Sequence, residues 1–228
     1  MPPSITPAPP SGPPGFSWSQ TWIKALTQPS VATYEQIASD APFGSNSKAY
    51  TWIFISALIS SLISVLGGSL TARTQTFPAA VPSSVSFESP NAVLSIICSP
   101  VIAVIAVLFF AIFVAITNLI ARALGGTGTY SKLLYVSAAI SAPLSIINGI
   151  LGLIPIVNCL SIPLGIYAIV LDVMAVKAVH QFGWGQAILS SFVIWIVLLI
   201  LVAVLIIVIL ALLGPAIGDI FSNTVRSL

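Results

Sequence analysis

Long apolar stretches alternate with short polar segments along this chain after residue 48. Each stretch has about 20 residues or more, the length of a helix that crosses a hydrocarbon core roughly 30 Å thick. None alternates apolar and polar residues as a barrel strand does, so the backbone must satisfy its hydrogen bonds within helices. The pattern predicts an all-α, polytopic transmembrane bundle with five spans: Tyr50–Leu70, Val93–Ala121, Leu133–Leu153, Ile156–Ala175 and Ala187–Leu213.

The amino-acid composition supports a membrane protein and argues against a soluble or nucleic-acid-binding protein. Charged residues make up 5% of the chain and hydrophobic residues 57%, and mean hydropathy is +1.11. Soluble proteins have about 25% charged residues, so this chain has too few to cover a soluble surface. A net charge of +2 without a basic cluster argues against nucleic-acid binding. The bilayer itself is therefore the expected partner.

The polar segments divide the chain into four regions. Residues 1–15 are rich in proline and are expected to be a disordered tail, without the basic and apolar parts of a secretory signal. Residues 16–48 form an amphipathic segment, 49–213 the five-helix domain, and 214–228 a short external tail. In the amphipathic segment, Trp18 and Trp22 indicate either a membrane-surface helix or partner-docking site, or a helix that packs against the bundle.

Lysine and arginine are distributed unequally between the two sides of the predicted membrane domain. The side of the N-terminus has five of them: Lys24, Lys48, Arg122, Lys132 and Lys177. The opposite side has Arg73 and Arg226. Because cytoplasmic loops carry the excess of these residues, we expect a cytoplasmic N-terminus and an external C-terminus, in the cell membrane. Protein partners are expected at the N-terminal segment and the cytoplasmic loops.

Small side chains recur every four residues in two of the spans. The first span has Ser56, Ser60, Ser64 and Gly68, and the third has Ser141, Ser145 and Gly149. Helices in lipid associate through close packing and hydrogen bonding, since lipid tails are as apolar as leucine. The spacing predicts that these two ridges face each other or a common neighbour. The alternative is that they reflect only the frequency of small residues in such helices.

Asp172 is an acidic residue within a predicted span, which marks it for structural or functional interpretation. It lies near the predicted cytoplasmic boundary, at the level of three cations. We expect an intramembrane polar cluster in which one of these cations neutralises it: Arg122, Lys132 or Lys177. The alternative function is a small-solute or ion permease, in which Asp172, Asn118 and Asn148 line a path.

The sequence contains no constellation that indicates catalysis, a metal or a cofactor. His180 is the sole histidine and has no acidic neighbour in the sequence, so a metal site is not expected. The run from Gly125 to Gly128 lacks the strand and the Gly-Lys-Ser/Thr of a phosphate loop, and it predicts a tight hinge between helices. Cys98 and Cys159 fall near the same predicted face, where a disulfide is conceivable.

Several short motifs, in their order and spacing, resemble those of the prokaryotic Yip-domain proteins. They are Trp22–Pro29 with Thr33–Glu35, the Leu124–Tyr130 turn with Pro143, Ile166–Tyr167 and Val179–His180. The resemblance covers about residues 18–213 and implies five spans with a cytoplasmic N-terminus. Eukaryotic members are linked to Rab-type GTPases and vesicle traffic and carry an Asp-Leu-Tyr-Gly-Pro motif, which this chain lacks. The resemblance therefore implies a non-enzymatic scaffold, membrane-organising or partner-binding protein.

Overall fold

The computed structural model describes residues 16–41, 45–71, 92–154 and 157–226, and these residues form helices and short turns. The expected N-terminal tail and the loop between the first two spans lie outside these ranges. The helices are α1 (Trp18–Thr27), α2 (Val31–Ser39), α3 (Ser45–Thr71), α4 (Ala92–Ala123), α5 (Tyr130–Leu151), α6 (Ser161–His180) and α7 (Trp184–Arg226). A 3-10 turn, Val157–Leu160, precedes α6.

Five of these helices, α3 to α7, are long and apolar enough to cross a membrane in the described part of the chain, as the sequence predicts. Several boundaries differ from the prediction, and the helix of the first span, for example, starts five residues earlier, at Ser45. The fourth span starts with the 3-10 turn and continues five residues past Ala175 to His180, because Gln181 adopts the left-handed conformation that ends a helix. The fifth helix continues through most of the predicted external tail, as far as Arg226.

Helix α5 is the centre of the bundle, and it contacts α1, α2, α3, α4 and α6. Every residue from Leu133 to Ile140 is buried. Helices α3 and α5 run in the same direction, since the hydroxyl groups of Tyr50 and Tyr130 lie 3.0 Å apart near the start of both helices. The buried residues of α5 belong to a hydrophobic core that also includes residues of α3 and α6.

This core lies toward one end of the bundle, which we call the hinge end. The hinge end contains the α4–α5 turn at residues 124–129 and the α6–α7 turn at residues 181–183. In α6, buried residues occur from Leu171 to His180 but not in the preceding half of the helix. In α7, the residues described from Trp195 to Gly214 are exposed, so this part of the helix has an apolar surface without a neighbouring helix. The charge distribution predicts that the hinge end is cytoplasmic.

Candidate functional site

The amphipathic N-terminal segment forms two helices, α1 and α2, which together we call the N-terminal hairpin (Trp18–Ser39). Local sequence sets both helix starts. Ser17 and Gln20 form a reciprocal capping box at the start of α1. The side chain of Ser30, directly after Pro29, accepts a hydrogen bond from the Thr33 amide at 3.1 Å. Proline thus interrupts the segment, and each half begins with its own N-cap.

The hairpin packs against the bundle through a cluster of aromatic rings. Trp18 and Trp22 both meet the ring of Trp52 edge to face, with centroid distances of 5.9 and 6.0 Å. Trp52 is fully buried and lies 5.0 Å from the ring of Tyr135 in α5. Aromatic pairs of this geometry contribute roughly 0.5–1.5 kcal/mol beyond the burial of their area. Of the two interpretations of the tryptophans, the structure supports packing against the bundle.

Two tyrosines fix the turn of the hairpin. The hydroxyl of Tyr34 in α2 donates to the carbonyl of Ala25 in α1 at 2.8 Å, which joins the two helices. Burial raises the pKa of Tyr34, and the nearby phenol of Tyr167 raises it further, so Tyr34 stays neutral and keeps its donor. The hydroxyl of Tyr167 in α6 donates to the carbonyl of Leu26 at the end of α1. Nothing in the sequence marks either tyrosine as a docking residue.

The hairpin reaches far along the bundle. Tyr167 precedes His180 by thirteen residues, which is about 20 Å along α6 at 1.5 Å per residue. The end of α1 therefore lies about 20 Å from the hinge end. Near its turn and along α2, the hairpin nevertheless exposes the polar side chains of Gln28, Glu35 and Gln36, whereas the large apolar side chains that it exposes lie in α1. This arrangement places water-seeking side chains beside the part of α6 that is expected in the membrane.

At the hinge end, the glycine-rich turn closes on the last residue of α6. His180 is 1% exposed, and its Nδ1 accepts a hydrogen bond from the amide of Gly128 at 3.2 Å. The carbonyl of His180 accepts a second bond, from the amide of Thr127, at 3.2 Å. A Cβ atom at Gly126 would lie 2.5 Å from His180 Nδ1, so only glycine permits this approach. The predicted hinge is thus a contact between two loops, and His180 is a packed core residue.

A glutamine and a lysine complete the connection between the two loops. Gln186 donates to the carbonyl of Leu124 at 2.9 Å and accepts from the amide of Gly183 at 3.0 Å. Lys177 donates to the carbonyl of Phe182 at 3.1 Å, and its ammonium group lies 5.0 Å from the centre of the Trp184 ring. Lysine at a helix C-terminus commonly satisfies a free carbonyl in this way.

The ridges of small residues on α3 and α5 meet at Ser60. Its hydroxyl donates to the carbonyl of Ser145 at 2.8 Å. A Cβ atom at Gly149 would lie 3.3 Å from the Cα of Ser60, so the two backbones approach closely. Ser56 is buried and bonds within its own helix, whereas Ser64 is exposed.

Two members of the predicted ridges have other surroundings. Ser141 faces a cavity between α4, α5, α6 and α7 instead of α3. Gly68 lies in α3, outside the residues whose side-chain surroundings the structure describes.

The structure does not bring Asp172 together with a cation. Its polar neighbour is Ser191 in α7, and no ion pair within 4 Å joins it to a basic residue in the described ranges. Lys177 is engaged at the loop between α6 and α7, while Arg122 and Lys132 are exposed at the hinge end. The expected pairing is therefore not made, because these three cations point to the ends of their helices and Asp172 faces a cavity inside the bundle.

The residues of the permease alternative are not gathered in one place. Asp172 lines the cavity between α4, α5, α6 and α7, but Asn118 and Asn148 do not. Asn118 is buried, with no hydrogen bond to its Oδ1, and Asn148 is exposed.

Neither a disulfide nor a metal site is found in the described part of the chain. Cys98 carries a free thiol in α4, so the conceivable disulfide with Cys159 is not formed. No group of three or more histidine, cysteine or acidic residues that could hold a metal occurs within the described ranges.

The five apolar helices, α3 to α7, define a polytopic α-helical membrane protein. The family model of the Yip1 domain matches residues 23–206. The chain therefore belongs to the Yip1 domain family, as its motifs suggest. Comparisons with curated proteins and with solved structures find no match. The match includes most of the N-terminal hairpin, which is thus part of the domain.

Proposed function

We propose that this protein is a non-enzymatic membrane-organising protein that deforms the bilayer leaflet at its hinge end. The proposal is carried by the depth of the N-terminal hairpin. The turn of the hairpin lies about 20 Å from the hinge end, while a hydrocarbon leaflet is about 15 Å thick. Its exposed glutamines and glutamate require water or lipid headgroups at that depth.

The side of the bundle formed by α4 and α7, in contrast, exposes apolar side chains close to the hinge end. Leu119 of α4 and Ile188 and Leu189 of α7 are exposed close to the hinge end, with 68%, 46% and 49% of their surfaces accessible. These side chains require hydrocarbon around them. A flat leaflet cannot satisfy both sides. The lipid headgroups must therefore lie deeper in the bilayer next to the hairpin than next to α4 and α7.

This mismatch supplies enough free energy to affect where the protein resides. Hydrophobic mismatch costs fractions of a kcal/mol per Å, so a step of about 10–20 Å costs on the order of several kcal/mol in a flat bilayer. The two additional helices of the hairpin also widen the protein at the same leaflet. Both costs are lower in a curved membrane whose convex side is this leaflet. The protein is therefore expected to concentrate in such a membrane and to stabilise its curvature.

The hairpin is also our proposed surface for a protein partner. It leaves two large apolar side chains exposed, Trp18 at 45% and Ile23 at 61%. Exposed aromatic and aliphatic anchors of this kind are typical centres of protein interfaces. With the orientation that the cations favour, the partner would be cytoplasmic.

The proposal can be tested with membrane tubes pulled from giant vesicles that contain the fluorescent full-length protein. With the hinge end on the outer surface, we expect several-fold enrichment of the wild type on tubes relative to the flat vesicle. The double variant Gln28→Leu with Glu35→Leu makes the outward face of the hairpin apolar and should reduce the enrichment toward one. Lys132→Leu, an equivalent change at an exposed position of the hinge end, is the control and should behave as wild type. Absence of enrichment in the wild type, or equal enrichment in the double variant, would refute the proposal.

A further inference from the structure

The cavity that contains Asp172 has a volume of about 340 Å³ and lies between α4, α5, α6 and α7. One part of its wall is polar. The carboxyl group of Asp172 and the hydroxyl groups of Ser137, Ser141 and Ser191 come from three different helices and line the same space. The rest of the lining is mainly apolar. Neither the family assignment nor the membrane-organising function gives this cavity a role.

Ser191 indicates that the polar part of the cavity is incomplete without a ligand. The residue is 2% exposed and its Oγ lies beside the Asp172 carboxyl, but the two groups do not meet in a well-formed hydrogen bond. Buried hydroxyl groups are normally hydrogen-bonded, because an unmade bond leaves the cost of desolvation without compensation. A donor or acceptor from a bound molecule would satisfy this oxygen and the carboxyl together.

The apolar part of the cavity opens toward lipid. Trp195 and Ile169 line it and are also 53% and 36% exposed on the surface of the bundle. Gly165 adds space, since a Cβ atom built there meets nothing within 4 Å. The rings of Phe113 and Trp195 meet edge to face across the lining, with centroids 6.0 Å apart. A molecule dissolved in the bilayer can therefore enter from the side.

The two parts of the cavity lie at different depths. Asp172 is eight residues before His180, about 12 Å from the hinge end, and Gly165 is about 10 Å further along α6. The polar part thus lies within the leaflet of the hinge end, and the apolar part extends to the middle of the bundle. This order matches an amphiphile whose head is in that leaflet and whose chain points inward.

We propose that the cavity binds a single-chain amphiphile with a primary ammonium head group. The ammonium group offers three donors, which Asp172 and the serine hydroxyls can accept, and aromatic rings attract cations as well. A phosphate head is disfavoured, because the carboxylate would repel it and no basic side chain in the described ranges pairs with Asp172. The chain would pack against the apolar lining near Gly165.

The experiment uses the full-length protein in an uncharged detergent, with dodecylamine as the probe and dodecanol and dodecyl phosphate as the comparison ligands. Native mass spectrometry counts bound molecules during each titration. We expect one dodecylamine per protein, bound at least tenfold more tightly than dodecanol, and no saturable binding of dodecyl phosphate. Asp172→Asn should reduce dodecylamine binding to the level of dodecanol, while Gly165→Leu should fill the cavity and prevent the binding of both.

Two matched variants control for general effects. Glu35→Gln removes a carboxylate outside the cavity, and Gly185→Leu enlarges another glycine with no atom within 4 Å of its Cβ position. Both should bind dodecylamine as wild type does. Equal affinities for the amine and the alcohol, or an unchanged preference for the amine in Asp172→Asn, would overturn the proposal. If Asp172→Asn does not fold, retention of dodecylamine by Gly165→Leu is the result that overturns it.

Discussion

The replacement Ser60→Leu tests the central contact of the bundle, where α3 and α5 approach most closely. A Cβ atom at Gly149 would already lie 3.3 Å from the Cα and 3.4 Å from the Cβ of Ser60. A branched side chain at position 60 therefore has no space unless the two helices separate. The replacement also removes the hydrogen bond from Ser60 to the carbonyl of Ser145.

The expected magnitude follows from these two losses. Overpacking a tight contact costs about 1–3 kcal/mol. An interhelical hydrogen bond in a membrane protein contributes about 0.6 kcal/mol on average. Together they lower the free energy of unfolding by roughly 2–4 kcal/mol, which corresponds to a fall of about 4–15 °C in Tm for a chain of this size.

Thermal unfolding of the purified protein in a mild detergent measures this change. Ser60→Ala separates the two contributions, because it removes only the hydroxyl group and should lower Tm by a few degrees at most. Ser64→Leu is the matched control on the next turn of the same helix, where the side chain is exposed and space is available. If Ser60→Leu and Ser64→Leu unfold at the same temperature, the close contact between α3 and α5 does not stabilise the bundle and the reasoning fails.

Three further predictions concern the loops, the hairpin and the orientation. Gly128→Ala should destabilise the protein by about 1–3 kcal/mol, since its Cβ would lie 2.6 Å from the carbonyl oxygen of Val179. Gly185→Ala is the control and should not destabilise the protein, because no atom lies within 4 Å of its Cβ position. Equal Tm values for the two variants would contradict this prediction. Tyr34→Phe should cost about 1 kcal/mol, because the ring remains packed but the bond to α1 is lost, and an unchanged Tm in detergent would show that this bond contributes nothing. A reporter fused after Ser45 should be cytoplasmic, and an external signal would reverse the topology.

The spans were predictable because a bilayer imposes a simple requirement on composition, and each apolar stretch meets it over its whole length. The position of the hairpin was not predictable from the same information. Trp18 and Trp22 lie on one face of an amphipathic helix, and that pattern is identical whether the face meets headgroups or the ring of Trp52. Tyr34 and Tyr167 lie in two of the short motifs that carry the family resemblance, but only the packing of α2 on α6 brings the two side chains together.

The expected pairing of Asp172 illustrates a different limit. Lys177 is close to Asp172 in sequence, but residues face each other on a helix at spacings of three or four, and these two are five apart. Arg122 and Lys132 are at a similar predicted depth, but depth alone does not determine the direction in which a side chain points. The cavity beside Asp172 arises from four helices together, so none of its lining could be recognised in a single stretch of sequence.

The packing of the hairpin has a consequence for biogenesis. Leu26 and its partner Tyr167 are 141 residues apart in the chain. At about 5–20 residues per second, a ribosome needs roughly 7–30 s to synthesise the intervening segment. During that interval the buried face of α2, with Tyr34 and Ile37, has no groove to enter. The nascent chain must therefore keep this face on the membrane surface or on a chaperone until α6 is inserted, so the helices that are synthesised first dock late in the assembly of the domain.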